Sequence, residues 1–190
     1  MRNMRSGILV AWALAPFVVG CQDASPRTSP HAKQGAPIMQ VTSSAFKQEA
    51  MIPKQYTGEG KDVSPPLAWS GVPAGVMSFA LICDDPDAPR KDPWVHWVIF
   101  NLPADTKELA EGISGTSRLP AGAKEGKNDF GKIGYGGPMP PPGKPHRYYF
   151  KLYALDRMLD LKEGSTKRQV EEAIEDHILA EGQLMGRYAR

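Results

Sequence analysis

One stretch of the chain, Asp84 to Leu102, joins an acidic, proline-rich turn directly to a long apolar segment: Asp84-Asp-Pro-Asp-Ala-Pro-Arg-Lys-Asp-Pro-Trp-Val-His-Trp-Val-Ile-Phe-Asn-Leu102. Residues 94–102 are rich in β-branched and aromatic types and too few for a typical helix, so they predict a strand buried on both faces. His96 alone interrupts this strand, and a buried histidine needs a polar partner. Asp85 and Asp87 lie in the turn, whose prolines fix φ and hold the carboxylates in one shape. The stretch therefore predicts carboxylates presented beside a buried histidine.

Length and composition favour one mainly β domain. A chain of 190 residues suits a single domain with a proper hydrophobic core. Its 18 prolines and 19 glycines indicate many turns, and the candidate strands lie between them at short spacing. Without residues 1–20 the chain has 21 basic and 21 acidic residues, and this balance argues against nucleic-acid binding.

The C-terminal half combines a second strand with an amphipathic helix. Along residues 147–155 the side chains alternate in character, which predicts a strand with one buried and one solvent-exposed (wet) face. The predicted core face has Tyr148, Phe150, Leu152 and Ala154, and the predicted wet face has Arg147, Tyr149, Lys151 and Tyr153. Ser165 or Thr166 can cap a helix whose apolar stripe is Val170, Ala173, Ile174, His177 and Ile178. His177 is expected to be a satisfied boundary residue, not a ligand. Leu184 to Tyr188 should return as a short closing segment.

Residues 1–20 have the pattern of a signal peptide. Arg2 and Arg5 precede an apolar run, Ile8 to Val19, that is too short to span about 30 Å of hydrocarbon comfortably. The run ends Val18-Val19-Gly20-Cys21, which resembles the lipobox of bacterial lipoproteins. That resemblance implies a diacylglycerol thioether on the cysteine and a stable lipid anchor. The alternative is an ordinary secretory signal with a coincidental cysteine.

The segment after Cys21 is expected to be a disordered tether. Residues 22–37 contain no large apolar side chain, and their root-mean-square reach is roughly 20 to 24 Å. Gln22 stands where aspartate would resemble an inner-membrane retention signal, which favours the outer membrane, facing the periplasm, in a Gram-negative cell. The folded domain is expected to span residues 38–190. Cys83, within an apolar run, is expected to be a buried structural thiol.

Several motifs in the folded part occur in one order. They are Ile52-Pro53, Tyr56-Thr57, Ser64-Pro65-Pro66-Leu67, Asp85-Pro86-Asp87-Ala88-Pro89, His96-Trp97, Tyr135-Gly136-Gly137-Pro138 and His146-Arg147-Tyr148. This series resembles the phosphatidylethanolamine-binding protein family, and the tail Ala180 to Gly186 resembles its bacterial, Raf-kinase-inhibitor-like branch. The resemblance implies an antiparallel β-sandwich with a few peripheral helices.

The same resemblance implies a small pocket for phosphate, phosphorylethanolamine or similar anions. The motif positions that would line it are Asp85, Asp87, His96, Pro138, His146 and Tyr148. Carboxylates beside an anion fit if the histidines are protonated and the aspartates orient them, with the Tyr148 hydroxyl as a neutral donor. Affinity should then be greatest in mild acid. The alternative is a purely structural role, in which the aspartates only form a turn and His96 is a hydrogen-bonded core residue.

Three classes of function follow. The first is a non-catalytic, lipid-anchored ligand-binding or regulatory module that binds a small anion, with no cofactor, metal or nucleic acid. The second is a hydrolase that uses a divalent metal on the aspartate and histidine cluster to cleave a phosphoester, although no nucleophile or metal-ligand motif is present. The third is a protein-binding inhibitor of a peptidase, which the family resemblance permits.

Overall fold

Two antiparallel sheets form the body of the protein, as predicted. The computed structural model describes residues 37–190. Its elements in chain order are β1 (Gln40–Thr42), β2 (Leu67–Ser70), β3 (Ser78–Asp85), β4 (Trp94–Pro103), β5 (Glu108–Leu109), β6 (Lys124–Glu125), β7 (His146–Leu155), α1 (Lys167–Ile174) and β8 (Ile178–Tyr188), with a 3-10 turn at Lys54–Tyr56. The larger sheet has the order β6-β4-β3-β7-β8, and the smaller sheet has the order β1-β2-β5.

The main core lies between the two sheets. Alternate residues of each strand point inward because the side-chain period of a strand is two. The smaller sheet contributes Val41, Leu67 and Trp69, and the larger sheet contributes Phe79, Leu81, Trp97, Ile99, Phe150 and Leu152. The rings of Trp69 and Phe79 meet edge to face across this layer, 5.4 Å apart. The result is a sandwich in which both sheets bury one face against the other.

The opposite face of the larger sheet is covered by α1. Ala80, Ile82, Val98, Phe100 and Tyr153 pack there with Val170 and Ile174 of the helix. The prediction that residues 94–102 form a strand buried on both faces is therefore confirmed. The predicted wet face of β7 is wrong at Tyr153, which is only 2% exposed, because the helix covers this end of the strand.

The helix begins as predicted and ends earlier. Thr166 caps it through a reciprocal capping box with Gln169. It ends at Ile174 because Asp176 adopts a left-handed backbone conformation, φ 67°, that a helix cannot contain. His177 and Ile178 therefore do not belong to the helical stripe, which corrects the prediction.

The last strand is longer than the short closing segment predicted from Leu184 to Tyr188. It begins at Ile178 and pairs with β7 along its whole length, at the edge of the larger sheet. Cys83 is buried in β3, as predicted. Among residues 37–190, no helix has the length and apolar character needed to cross a membrane. The predicted signal peptide, Cys21 and the tether up to residue 36 lie outside the described residues.

Candidate functional site

A β-bulge in β4 aims His96 at the end of the sandwich core. Val95 pairs with Asp84 and Trp97 pairs with Cys83, so that His96 is the extra residue between them. The alternation of the strand is broken at this point, and His96 and Trp97 both face the smaller sheet, whereas Val95 faces the helix. The His96 ring consequently meets the ring of Tyr148 edge to face at 5.1 Å.

A cavity of about 350 Å³ opens at this end of the larger sheet. It is lined by Asp85, Ala88, Pro89, Trp94, His96, Phe130, Met139, Pro140, Pro141, His146 and Tyr148. Four of the six predicted ligand-binding residues are in this lining, namely Asp85, His96, His146 and Tyr148. The walls are otherwise apolar, which is typical of a small-molecule site with a few oriented polar groups.

Asp85 anchors one side of the cavity. Its carboxylate is 3% exposed, and its Oδ1 accepts a hydrogen bond of 2.8 Å from the backbone N–H of Asp87. Its Oδ2 lies 2.8 Å from Nδ1 of His146. A carboxylate only accepts hydrogen bonds, so this Nδ1 carries a hydrogen and the bond fixes the orientation of the ring. The other ring nitrogen, Nε2, remains available to a ligand.

His96 is oriented by the backbone instead of by an aspartate. Its Nδ1 lies 2.6 Å from the carbonyl oxygen of Gly136. Burial lowers the pKa of His96 below its usual value, and the Gly136 bond together with the charges of Asp85 and other carboxylates only partly opposes this. The ring is therefore neutral at neutral pH. The expectation of two protonated histidines is not met at this residue.

Tyr148 supplies the neutral hydroxyl that was expected. The residue is 1% exposed, and within residues 37–190 its hydroxyl has no hydrogen-bond partner. Burial raises the pKa of Tyr148 far above its usual value, so the hydroxyl keeps its proton. The charge of Asp85, and a side-chain contact to Asp85 that lies outside hydrogen-bond geometry, add to this shift. A buried hydroxyl without a partner costs free energy, and such a group in a cavity wall is suited to a ligand.

Asp87 stabilises the turn and does not contact a histidine. Arg147 forms a bidentate ion pair with its carboxylate, in which Nε donates to Oδ2 at 2.8 Å and Nη2 donates to Oδ1 at 2.7 Å. The backbone N–H of Arg147 adds a third bond at 2.9 Å. These bonds lower the pKa of the Asp87 carboxyl. The residue therefore fastens the proline-rich turn to β7 outside the cavity lining.

Pro138 also stands behind the cavity wall. Its carbonyl oxygen accepts a hydrogen bond of 3.0 Å from Gly58, and the lining residues are the next three along the chain. The preceding Gly137 is required by close packing, since a Cβ there would lie 2.5 Å from the carbonyl oxygen of Tyr56. The segment that follows Pro138 therefore forms part of the cavity wall, and its contacts to the cavity begin at Met139.

Sequence reasoning missed two aromatic residues of the wall, Trp94 and Phe130. Trp94 lies two positions before His96, so the period of a strand could have placed it on the same side. Phe130 packs edge to face against Trp94 at 5.3 Å and against His96 at 5.4 Å. It comes from an irregular segment, and no periodicity in the sequence points to it.

No group of three or more histidine, cysteine, aspartate or glutamate side chains is arranged to hold a metal ion in the part of the chain that the structure describes. His177, the third histidine of the domain, is engaged elsewhere. Its Nδ1 lies 2.9 Å from Asp156, and Nη1 of Arg157 donates to its Nε2 at 3.0 Å. It is a satisfied surface histidine far from the cavity lining, as expected.

The fold and site define a β-sandwich protein with a small cavity at one end of its larger sheet. The family model for phosphatidylethanolamine-binding proteins matches residues 42–189, and the chain belongs to this family.

Known relatives support the assignment over most of the chain. A UPF0098 protein of Methanothermobacter thermautotrophicus is 52% identical over 152 residues, which cover 80% of this chain and 99% of the relative. The crystal structure of Escherichia coli YbcL, described as a member of the mammalian PEBP family, has a TM-score of 0.76 and 37% identity, covering 80% of this chain and 98% of YbcL. The structure of the PEBP homologue CT736 from Chlamydia trachomatis has a TM-score of 0.73 and 44% identity, covering 80% of this chain and 98% of CT736.

Proposed function

We propose that the protein is a lipid-anchored envelope protein whose folded domain binds a small anion in the cavity beside His96, without changing it chemically. The observation that carries the proposal is the Tyr148 hydroxyl, which is buried in the cavity wall without a hydrogen-bond partner. Natural proteins satisfy nearly all such groups, so an exception in a cavity wall needs a partner, and we assign that partner to a ligand.

Three polar groups belong to residues that line the otherwise apolar cavity. They are the Tyr148 hydroxyl and the Nε2 atoms of His96 and His146, since Nδ1 of each histidine is already bonded within the protein. Few oriented polar groups on apolar walls give a ligand one binding pose. A headgroup-sized anion is large enough to reach all three.

The buried charge of Asp85 is compatible with an anion when His146 is protonated. Its imidazolium then sits between the carboxylate and the ligand, with Nδ1–H towards Asp85 and Nε2–H towards the cavity. Charge-assisted hydrogen bonds of this kind are roughly twice as strong as neutral ones. We therefore expect affinity to be greatest in mild acid, as the sequence predicts.

The proposed anchor rests on the sequence of the first 37 residues. Two arginines, the apolar run from Ile8 to Val19 and the junction Gly20-Cys21 are in the order that a lipoprotein signal has. Two acyl chains on Cys21 would hold the protein at the membrane stably, whereas one would not. The polar tether that follows would keep the domain clear of the headgroups.

Calorimetric titration of phosphorylethanolamine tests the binding proposal. His146→Ala should weaken binding by about 1.5–3 kcal/mol, the usual size of a lost hydrogen bond to a charged group. His177→Ala is the matched control, because it also removes a histidine that is bonded to an aspartate, at 2.9 Å, but outside the cavity lining. Equal affinities for wild type and His146→Ala would remove His146 from the site.

A second arm separates a binding module from a phosphoester hydrolase. The binding module predicts that binding survives exhaustive treatment with a chelator and that bound phosphorylethanolamine releases no phosphate. Metal-dependent phosphate release that His146→Ala abolishes would contradict the non-catalytic proposal.

A further inference from the structure

We infer that the cavity selects an anion that brings its own acidic proton, so that the preferred ligand is a phosphomonoester monoanion and not a sulfate ester or a phosphodiester. The inference rests on the proposed anion binding. It concerns what His96 requires of the ligand, which follows from the hydrogen bond on the far side of its ring.

The bond to Gly136 fixes which ring nitrogen of His96 carries the hydrogen. A carbonyl oxygen accepts hydrogen bonds only, so Nδ1, at 2.6 Å from it, is the donor. In the neutral ring, Nε2 is then an acceptor with its lone pair free. No hydrogen bond within residues 37–190 engages this Nε2, and the residue lines the cavity.

The charged groups around His96 raise its pKa by less than burial lowers it. Three carboxylates act on the ring, those of Asp85, Asp84 and Asp129. Each has a basic partner of its own. Asp85 bonds His146, Asp84 contacts Lys151 and Lys167, and Asp129 contacts Arg90. Because His96 is also only 3% exposed, burial outweighs these charges and lowers its pKa.

Wherever the His96 ring is neutral, an anion without a proton would therefore place an oxygen lone pair against the lone pair of its Nε2. A phosphomonoester monoanion avoids this conflict, because its P–OH group donates to Nε2 while a second oxygen accepts from the Tyr148 hydroxyl. The second pKa of a phosphomonoester is about 6, so the monoanion is abundant in mild acid. Sulfate esters and phosphodiesters carry the same single charge there and have no proton to donate. The diester group of an intact diacyl phospholipid belongs to this second class.

Three phenyl ligands test the inference on the wild-type protein between about pH 5 and 6.5, the range in which the phenyl phosphate monoanion is present. They are phenyl phosphate, phenyl sulfate and methyl phenyl phosphate, whose common ring suits the aromatic wall of Trp94 and Phe130. We expect phenyl phosphate to bind about tenfold or more tightly than the other two, since leaving a buried acceptor unpaired is costly. The advantage should shrink at about pH 8, where phenyl phosphate has lost its second proton.

Two variants assign the effect. His96→Phe keeps an aromatic ring and removes the acceptor, so the preference for phenyl phosphate should fall to near onefold. Tyr148→Phe removes a donor that all three anions would use, so it should weaken all three and preserve the preference. Near-ultraviolet circular dichroism checks that both variants are folded.

The outcomes distinguish this inference from the function on which it rests. Equal affinities for the three ligands in wild type would overturn the inference and leave the anion site in place. A preference that persists in His96→Phe would overturn the role of His96. Failure of all three ligands to bind would overturn the proposed anion site and the inference with it.

Discussion

We expect Tyr148→Phe to weaken ligand binding without lowering the free energy of unfolding. Tyr148→Phe deletes a polar atom that has no partner within the described residues. Tyr135→Phe is the matched control, because the same atom is deleted from a tyrosine buried in the same core. The hydroxyl of Tyr135 donates to the carbonyl oxygen of Tyr56 at 2.7 Å. The two variants therefore differ in whether a hydrogen bond is lost.

The two substitutions should change the free energy of unfolding differently. Burying a hydroxyl without a hydrogen bond costs about 1–3 kcal/mol in proteins, so removing it from Tyr148 should leave the free energy of unfolding unchanged or raise it by about 1 kcal/mol. Removing it from Tyr135 loses a bond and leaves the Tyr56 carbonyl without that donor. This should lower the free energy of unfolding by about 1–2 kcal/mol.

Urea denaturation without ligand measures both variants, with the midpoint as the readout at an unchanged slope. If Tyr148→Phe costs as much as Tyr135→Phe, the Tyr148 hydroxyl is satisfied in the free protein. The structural reason for assigning it to a ligand would then be wrong.

Three further predictions concern the site's histidine, its glycine loop and the anchor. Because the pKa of His96 is lowered on folding, the unfolded chain binds this proton first as the pH falls below about 6.5. The free energy of unfolding should then decrease as the pH falls, by up to about 1.4 kcal/mol per pH unit. His96→Phe should remove this part of the pH dependence in urea titrations at several pH values. An unchanged pH dependence would contradict the neutral His96 ring. Gly137→Ala should lower the free energy of unfolding by about 1–3 kcal/mol, since its Cβ would lie 2.5 Å from the backbone oxygen of Tyr56, and a wild-type urea midpoint would refute that steric argument. Cys21→Ser should abolish labelling by fatty acid, and a variant that keeps the label would show that Cys21 is not the lipidated residue.

The sequence predicts a strand best where nearly all of its residues are apolar. The β4 strand is found as predicted because nearly every residue from 94 to 102 is apolar and a covering layer exists on both sides. The burial of Tyr153 could not be read from alternation, because it depends on where α1 docks. The early end of the helix depends on the left-handed residue Asp176, whereas the apolar spacing continues past it to Ile178.

The site shows the same division between local and tertiary information. Asp85, His96, His146 and Tyr148 come from three strands, and the motifs indicate them individually. The pairing of Asp85 with His146 rests on strand register, since 61 residues separate them. The Gly136 bond that makes His96 an acceptor is a contact to a loop backbone, for which side-chain identities give no signal.

Nitrogen-15 NMR of the histidine rings tests the central claim most directly. The chain has four histidines, His31, His96, His146 and His177, and each variant lacking one assigns its signals. On saturation with phosphorylethanolamine, we predict that the Nε2 signals of His96 and His146 shift while both signals of His177 stay in place. If calorimetry shows binding and the signals of His96 and His146 do not move, the anion does not bind in the cavity that these residues line.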